Sequence, residues 1–457
     1  MLTGEQYKAS LDDGRETYFE GRRVPNIAEH PILSTSVNVV ADGYDRLYSP
    51  EPDAVSPLMK IPRSPEDLRD HIPLLHQAGM MAHVTYTSLM TLTTAAGHLG
   101  DAHPEMVRHI QEYVVDAQQR DLRITQCITD AKGDRSRHPS DQDDPDAYVH
   151  VVDRSGDGVV IRGAKLHITG ASLGHELMVI PTKAMRPGEE DYAIGCMVPV
   201  NAPGVRIVNT SYAPRHADDR DFPVSRLDPC PEGFVIFDDV FVPHHRVILD
   251  GDTGKAAIFA HALGLWERLG GLAGMADGAD LLVGLAQLAA EANGLSRVAH
   301  VREKISEMII SASLVRATLE AAIANCHYGD QGAAFPDELY TNAGKYYGAT
   351  NYGLMVRHLQ DIAGGSVVTA PSTADLENEE VGPLVRKYMT TTKDIDGEFR
   401  TRLFHTIRDL TADAYGGWKL VTTLQAGGGL FAQRIVTRKH YDLEGAKTLA
   451  LRVMGVA

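Results

Sequence analysis

The chain has 457 residues, of which 43% are hydrophobic and 23% charged, and a formal net charge of −17. That length exceeds what one hydrophobic core usually holds, so two or three sub-domains are expected. The charge repels a phosphate backbone and no dense basic stripe offsets it, which argues against nucleic acid as a partner.

No apolar run approaches the roughly 20 residues of a membrane span, and MLTGEQYKASLDDGRETYF lacks the apolar stretch of a secretory leader, so a cytoplasmic location is expected. Cys127, Cys196, Cys230 and Cys326 are far apart, with no C-x-x-C spacing, and read as reduced thiols rather than metal ligands.

Residues 64–125 read as helical, opened by Ser64-Pro65-Glu66-Asp67, an N-cap followed by proline at the first helical position and acidic residues in the first turn. KGDRSRHPSDQDDP, residues 132–145, is polar and proline-containing, an irregular connection. From Ala147 the period approaches two. YVHVV, the turn signal Ser155-Gly156-Asp157-Gly158 and VVIRGAKLHITG suit a hairpin. Further strand-like runs are YAIGCMVPV (192–200), GVRIV (204–208) and GFVIFDDVFVP (233–243). After Asn293-Gly294 the period is helical. Val298, Val301, Ile305, Met308, Ala312, Val315, Leu319 and Ala322 step by three and four along one face, a core stripe rather than a cofactor contact. The expected organisation is therefore a helical segment 1–145, a β domain 146–255 and a helical bundle 256–457.

Residues 128–182, ITDAKGDRSRHPSDQDDPDAYVHVVDRSGDGVVIRGAKLHITGASLGHELMVIPT, resemble the central region of the 4-hydroxybutyryl-CoA dehydratase branch of a flavoprotein family that also contains 4-hydroxyphenylacetate 3-monooxygenase. FDDVFVPHHRV (237–247), DIAGG (361–365), VTAPS (368–372) and the glycine turn before Ala432-Gln433-Arg434 extend the resemblance along nearly the whole chain. It implies an acyl-CoA dehydrogenase-like fold, mainly α with a central β barrel or sandwich, usually assembled as a homotetramer. It also implies FAD. Thr129, Lys132, Asp134 and Arg135 then fall on the loop that cradles the cofactor, since a diphosphate or polar ring edge needs such donors; a solvated linker is the competing reading. Thr169 takes the place of a hydroxyl near the reactive ring. The resemblance sets Gly364 and Gly365 against the dinucleotide from a neighbouring subunit, and Gly427, Gly428 and Gly429 near the flavin, although that triplet equally suits a helix C-cap.

The dehydratase branch carries an iron–sulfur cluster on three Cys and one His. Matched segment by segment, those positions hold Thr85, Leu89, Glu267 and Gly274, so no cluster is expected. Glu232 matches an active-site Glu of that branch, and two carboxylates, Glu232 and Glu267, facing one site would repel and raise one pKa; a turn position for Glu232 and an ion pair of Glu267 with Arg268 are the competing readings. The substrate Arg, Tyr and His of the monooxygenase branch correspond to His83, Thr87 and Gln126. His175 and His167 lie near the expected flavin edge, and DFPVSRLD (221–228) resembles a monooxygenase substrate loop.

No strand–G-x-G-x-x-G–helix unit supplies NAD(P)H internally. The leading expectation is therefore a two-component monooxygenase that takes reduced FAD from a separate reductase and hydroxylates an aromatic or other electron-rich small molecule with O2. A cluster-free FAD-dependent dehydratase or isomerase of an acyl thioester, and a non-catalytic flavin-binding protein, are the other readings.

Overall fold

A computed structural model describes residues 1–456 apart from 78, 213–217, 228–229 and 330–331, with the side chains at 76–82 also outside the description. The helices before the sheets are α1 (Gly4–Ser10), α2 (Leu33–Leu47), α3 (Pro65–Gln77), α4 (Gly79–Leu99) and α5 (Pro104–Arg120). The strands are β1 (Glu16–Phe19), β2 (Arg22–Val24), β3 (Ile124–Cys127), β4 (His150–Arg154), β5 (Gly158–Thr169), β6 (Glu176–Val179), β7 (Ile194–Pro199), β8 (Val205–Thr210), β9 (Glu232–Pro243) and β10 (Val247–Asp250), with a small hairpin β11 (His327–Tyr328) and β12 (Ala334–Phe335). The later helices are α6 (Ala256–Ala292), α7 (Ala299–Ala324), α8 (Glu338–Ala363), α9 (Ser366–Thr369), α10 (Thr373–Glu377), α11 (Gly382–Met389), α12 (Gly397–Thr411), α13 (Ala414–Gln425), α14 (Leu430–His440) and α15 (Leu443–Met454).

Helices, a β layer and a helical bundle follow one another, the acyl-CoA dehydrogenase-like order. The sheets run β2-β1-β8-β9-β5-β4 and β10-β7-β6-β3. Burial alternates along β8 and over much of β9, as period-two patterning requires, and Val151, Ile161, Leu177, Cys196, Val235 and Phe237 close the core between the sheets. The expected hairpin forms: β4 pairs antiparallel with β5 across Ser155–Asp157.

The segment 1–145 is not wholly helical, however. Its β1 adds parallel to β8, and β3 adds parallel to β6 at the edge of the second sheet. These strands have four residues each, too short for a period-two signal to stand out. Nor do the end segments bury separate cores. Leu89 and Ile110 of the early helices, Met197 of β7, and Phe259, Trp266 and Val315 of the bundle belong to one apolar cluster.

By length and composition α6 is apolar enough to cross a membrane, yet in this structure it is the central helix of the bundle, burying Phe259, Trp266, Leu272 and Leu282. It ends where Asn293-Gly294 predicts: Gly294 takes φ +70°, and Asn293 Nδ2 caps the far end of α8 through the carbonyls of Ile362 and Ala363 at 3.3 Å.

Candidate functional site

Two partly buried carboxylates organise the region where the β layer meets the bundle. The first is Glu267 on α6. His83 Nε2 donates to its Oε2 at 3.3 Å and Thr87 Oγ1 to its Oε1 at 2.8 Å, while Gln126 Nε2 of β3 donates to Thr87 at 2.5 Å. His83 and Thr87 are four apart on α4, so both face α6 from adjacent turns. Burial pushes the Glu267 carboxyl up, but the charge and hydrogen bond of His83 and the hydroxyl and amide donors hold it below its ordinary range. A glycine makes the approach possible: a Cβ on Gly270 would lie 1.7 Å from His83 Cε1.

Around this carboxylate the fold gathers groups that sequence reasoning missed. Arg268, rather than pairing with Glu267, donates to the Gly427 carbonyl at 2.8 Å and to Asn342 Oδ1 at 2.9 Å. Lys345 of α8 is 1% exposed and donates to the Thr423 carbonyl at 2.8 Å. Burial, with Arg268 beside it, lowers its pKa to about 8. Gly427 and Gly428 take φ +70° and +88°, backbone that favours glycine, and a Cβ on Gly427 would meet Arg268 Cγ at 3.1 Å and Glu267 Cβ at 3.4 Å. The triplet is thus a close-packed loop beside Glu267, with Gly429 opening α14, and not the cap of α13, whose C-cap is Ala426. A basic pair at helical spacing to Glu267 would have been the signal, but Lys345 lies 78 positions away in sequence and no spacing announces it.

The second carboxylate is Glu232, the first residue of β9, set in register with Thr169 on β5 and Thr210 on β8. Thr169 Oγ1 lies 3.1 Å from Glu232 Oε2, and Trp418 Nε1 of α13 donates to Oε1 at 3.2 Å. Trp418 stacks on Tyr212 with ring centroids 4.8 Å apart, and Tyr415 packs against both. Burial raises the Glu232 pKa against the pull of Trp418 and Thr169. The expected repulsion between Glu232 and Glu267 is not its cause. Each carboxylate has its own donors, Trp418 and Thr169 for Glu232, His83 and Thr87 for Glu267.

The remaining expected residues divide. In the loop, Asp130 pairs with Lys165 Nζ at 2.8 Å, both side chains 2% exposed, and Leu166 N donates to the Thr129 carbonyl at 2.7 Å, so the segment is fastened along β5. Asp134 accepts from Ser136 and lies near Arg137, its side chain half exposed. Lys132 and Arg135 show no side-chain hydrogen bond or ion pair to any described residue, and after burial it is Arg135 that most lowers the Lys132 pKa. His175 is placed elsewhere. Its Nδ1 accepts from Arg123 N at 2.9 Å and its Nε2 donates to Ser10 Oγ at 2.7 Å, so both nitrogens tie α1 to the sheet, and burial with Arg15 and Arg123 nearby lowers its pKa to about 3. His167 sits exposed at φ +59° on a bulge of β5.

Gly364 and Gly365 lie exposed beyond the far end of α8. They are 19 residues past Lys345, roughly 28 Å along the helix axis at 1.5 Å per residue, so within one chain they do not join the Glu267 site. Of DFPVSRLD, Asp228 is outside the described residues; Val224 N and Ser225 N donate to Asp409 at 2.8 Å, tying the segment to α12. The four cluster positions do not converge. Thr85 bonds the Ile124 backbone, Leu89 is in the apolar core and Gly274 is exposed, while the α4 side chains that reach Glu267 are His83 and Thr87.

Sequence models described as 4-hydroxyphenylacetate 3-hydroxylase N terminal and C terminal match residues 3–249 and 256–455. The chain belongs to the 4-hydroxyphenylacetate 3-hydroxylase family. Among curated relatives it is 26% identical to the 4-hydroxybutyryl-CoA dehydratase/vinylacetyl-CoA-Delta-isomerase of Clostridium aminobutyricum, covering 100% of both chains. It is likewise 26% identical to the 4-hydroxyphenylacetate 3-monooxygenase oxygenase component of Thermus thermophilus, covering 91% of this chain and 89% of that one.

Among solved structures, an oxygen-tolerant archaeal 4-hydroxybutyryl-CoA dehydratase from N. maritimus superposes with TM-score 0.91 at 28% identity over 100% of this chain and 95% of that one. The oxygenase component of 4-hydroxyphenylacetate 3-monooxygenase, solved with FAD, gives TM-score 0.90 at 24% identity over 99% and 98%, which shows the shared fold. Members of the 4-hydroxyphenylacetate 3-hydroxylase family thus carry both chemistries on this architecture.

Proposed function

We propose that this chain is the oxygenase component of a two-component monooxygenase: it binds FAD reduced by a separate reductase and hydroxylates an aromatic or other electron-rich small molecule with O2. The observation that carries the FAD site is the loop fastened to β5. Lys132 and Arg135 make no side-chain hydrogen bond or ion pair with a described residue in a chain of net charge −17, and two such cations suit a diphosphate. From Thr129, bonded to Leu166, to Thr169 is three residues along β5, roughly 10 Å at 3.3 Å per residue, which places a hydroxyl beyond the loop on the same strand. When bound, reduced FAD supplies the electrons that activate O2.

The chain's own residues bind, shield and poise. The Tyr212, Tyr415 and Trp418 rings wall one side of Glu232, whose pKa burial raises, beside the Thr169 hydroxyl where an acid–base group would act. Glu267, held ionised, accepts from His83, and the His83–Thr87–Gln126 set offers the groups that would orient a phenol. The relatives named as oxygenase components fit a separate reductase. The raised pKa of Glu232 supports a second reading, in which it acts as the acid–base group of an acyl-thioester dehydratase or isomerase, the chemistry of the Clostridium relative.

Assembly into a homotetramer is part of the same proposal. Two features support it: Gly364 and Gly365 lie exposed at the far end of α8, away from the Glu267 site of their own chain, and no residue of α15 is buried, with Val453 83% and Met454 70% exposed. FAD titration followed by flavin fluorescence, with sedimentation of the same sample, tests the cofactor and the assembly together. A chain that retains no FAD, or that binds it as a monomer, contradicts this reading.

A further inference from the structure

Helix α13 carries the Trp418 and Tyr415 rings that wall Glu232, yet little of the helix is itself buried: Tyr415, Gly416 and Thr423 are its buried residues. Its first turn is set against α12, since a Cβ on Gly416 would lie 2.5 Å from the Thr411 backbone. Its last turn leaves carbonyls without helical partners, as every helix end does. Two buried cations take up that end. Lys345 Nζ of α8 donates to the Thr423 carbonyl at 2.8 Å, and Arg268 Nε of α6 donates to the Gly427 carbonyl, also at 2.8 Å. Positive charge suits a helix C-terminus, where the dipole is negative.

Burying a charged side chain is costly, and a neutral donor would satisfy a carbonyl as well, so the use of two cations on one helix end asks for a reason. Lys345 is 1% exposed, and Gly271 of α6 makes room for it: among the described residues, the atoms a Cβ there would meet are Lys345 Cε at 3.1 Å and Cδ at 3.6 Å. The charged groups around the ammonium are Arg268 and Glu267 of α6 and Lys419 of α13. Thr423 follows Trp418 by five residues, roughly 7.5 Å along the axis at 1.5 Å per residue, so a fastening at one end of this short helix bears on the ring at the other. Trp418 Nε1 in turn donates to Glu232 Oε1 at 3.2 Å, a bond that favours the ionised carboxylate. Thr169 of β5 and Tyr212 are the other polar groups beside that carboxylate.

We infer that Lys345, with Arg268 beside it, is a positioning residue for Glu232: by holding the carbonyls at the end of α13 it fixes the Trp418 indole against the Glu232 carboxylate, and so sets how firmly that carboxyl keeps its proton. The ammonium touches neither carboxyl oxygen of Glu232; it acts through the helix. Glu232 is the acid–base group in both chemistries considered above, and the test below needs neither flavin nor substrate, so its outcome is separate from theirs.

The test is a pH titration of the tryptophan fluorescence of the full chain. Trp418 is one of two tryptophans, and the step that disappears in Glu232→Gln belongs to Glu232. In Lys345→Met the midpoint of that step should rise by about half a pH unit or more, the worth of a weakened hydrogen bond, whereas Lys345→Arg, which keeps a charged donor, should stay at the wild-type midpoint. Gly271→Val keeps the ammonium but crowds its stem, and should move the midpoint in the same direction as Lys345→Met. Circular dichroism reports whether each variant is folded, and if Lys345→Met does not fold, Gly271→Val decides. A lysine that only stabilises the core would lower the urea midpoint of these variants and leave the Glu232 step in place. That result in a folded variant, an equal shift in Lys345→Met and Lys345→Arg, or a wild type with no Glu232-dependent step would overturn the inference.

Discussion

Glu267 and Glu232 are both partly buried carboxylates close to α13 and the turn that follows it, yet their surroundings drive them in opposite directions. Glu267 receives a histidine N–H and a threonine hydroxyl backed by Gln126, and these outweigh burial and keep it ionised. Glu232 receives an indole N–H and a hydroxyl inside an aromatic wall, and burial wins. The number of donors is similar. What differs is that one set includes an imidazole able to carry a charge, and a buried carboxylate stays charged when its donors compensate its lost hydration. One chain thereby shifts two carboxyl groups in opposite directions from the same ordinary value.

The largest effect is expected where the charged member loses its room. Gly270→Val places carbon where His83 sits and should destabilise the chain by about 3 kcal/mol, measured as a fall in the urea midpoint at unchanged slope. Unchanged stability would mean that His83 is not held against α6 as described. Glu267→Gln should cost about 1.5–3 kcal/mol at neutral pH. Because its folded pKa is depressed, the contribution is present above the unfolded value of about 4.3 and is lost as pH falls through the folded one, so wild type and variant should converge in acid.

Glu232→Gln should have the opposite sign. Its folded pKa is raised, so the ionised form costs stability above that value. The variant should be more stable than wild type at pH 8, with the gain vanishing as pH falls through the raised pKa toward about 4.3. A Glu232→Gln variant less stable than wild type at pH 8 would place the carboxylate with Glu267 rather than against it.

Two arginines extend the contrast to the cofactor loop. Arg135→Ala should weaken FAD binding by about 1.5–3 kcal/mol, a ten- to hundredfold rise in dissociation constant. Arg154 is not the solvated residue that its place before the SGDG turn suggests. It bonds Asp250 at 2.9 Å and also Asp191, so Arg154→Ala should cost about 0.2–1 kcal/mol of stability and leave FAD affinity unchanged. Equal FAD affinities in the two variants would remove the loop from the cofactor site.

The sequence made the order of segments legible because the long elements carry their period openly: β9 alternates over much of its length and the α7 stripe steps by three and four. Four-residue strands such as β1 and β3 carry too few turns of any period. At the site, Glu232, Glu267, His83, Thr87 and Gln126 were all readable as chemistry-bearing residues, but their grouping was not. Which α4 residues meet Glu267 depends on helix rotation: His83 and Thr87 reach it, whereas Thr85, about half a turn from each, bonds the Ile124 backbone. Lys345 and Trp418 arrive from helices distant in sequence, and Arg268, next to Glu267, turns to Gly427 and Asn342 instead of pairing with it; His175 looked functional because a histidine fully committed to structural hydrogen bonds has no distinct sequence signature.

The most direct measurement supplies the chain with FAD reduced by a separate flavin reductase and NADH, a panel of phenols, and isotopically labelled O2, and follows the label by mass spectrometry. The account predicts one labelled oxygen in a hydroxylated product, formed only when this chain is present and diminished in Arg135→Ala at limiting FAD. FAD bound at the expected affinity, with no label transferred to any phenol and with turnover of an acyl-CoA thioester in the absence of O2, would contradict it and assign Glu232 to the other chemistry of the family.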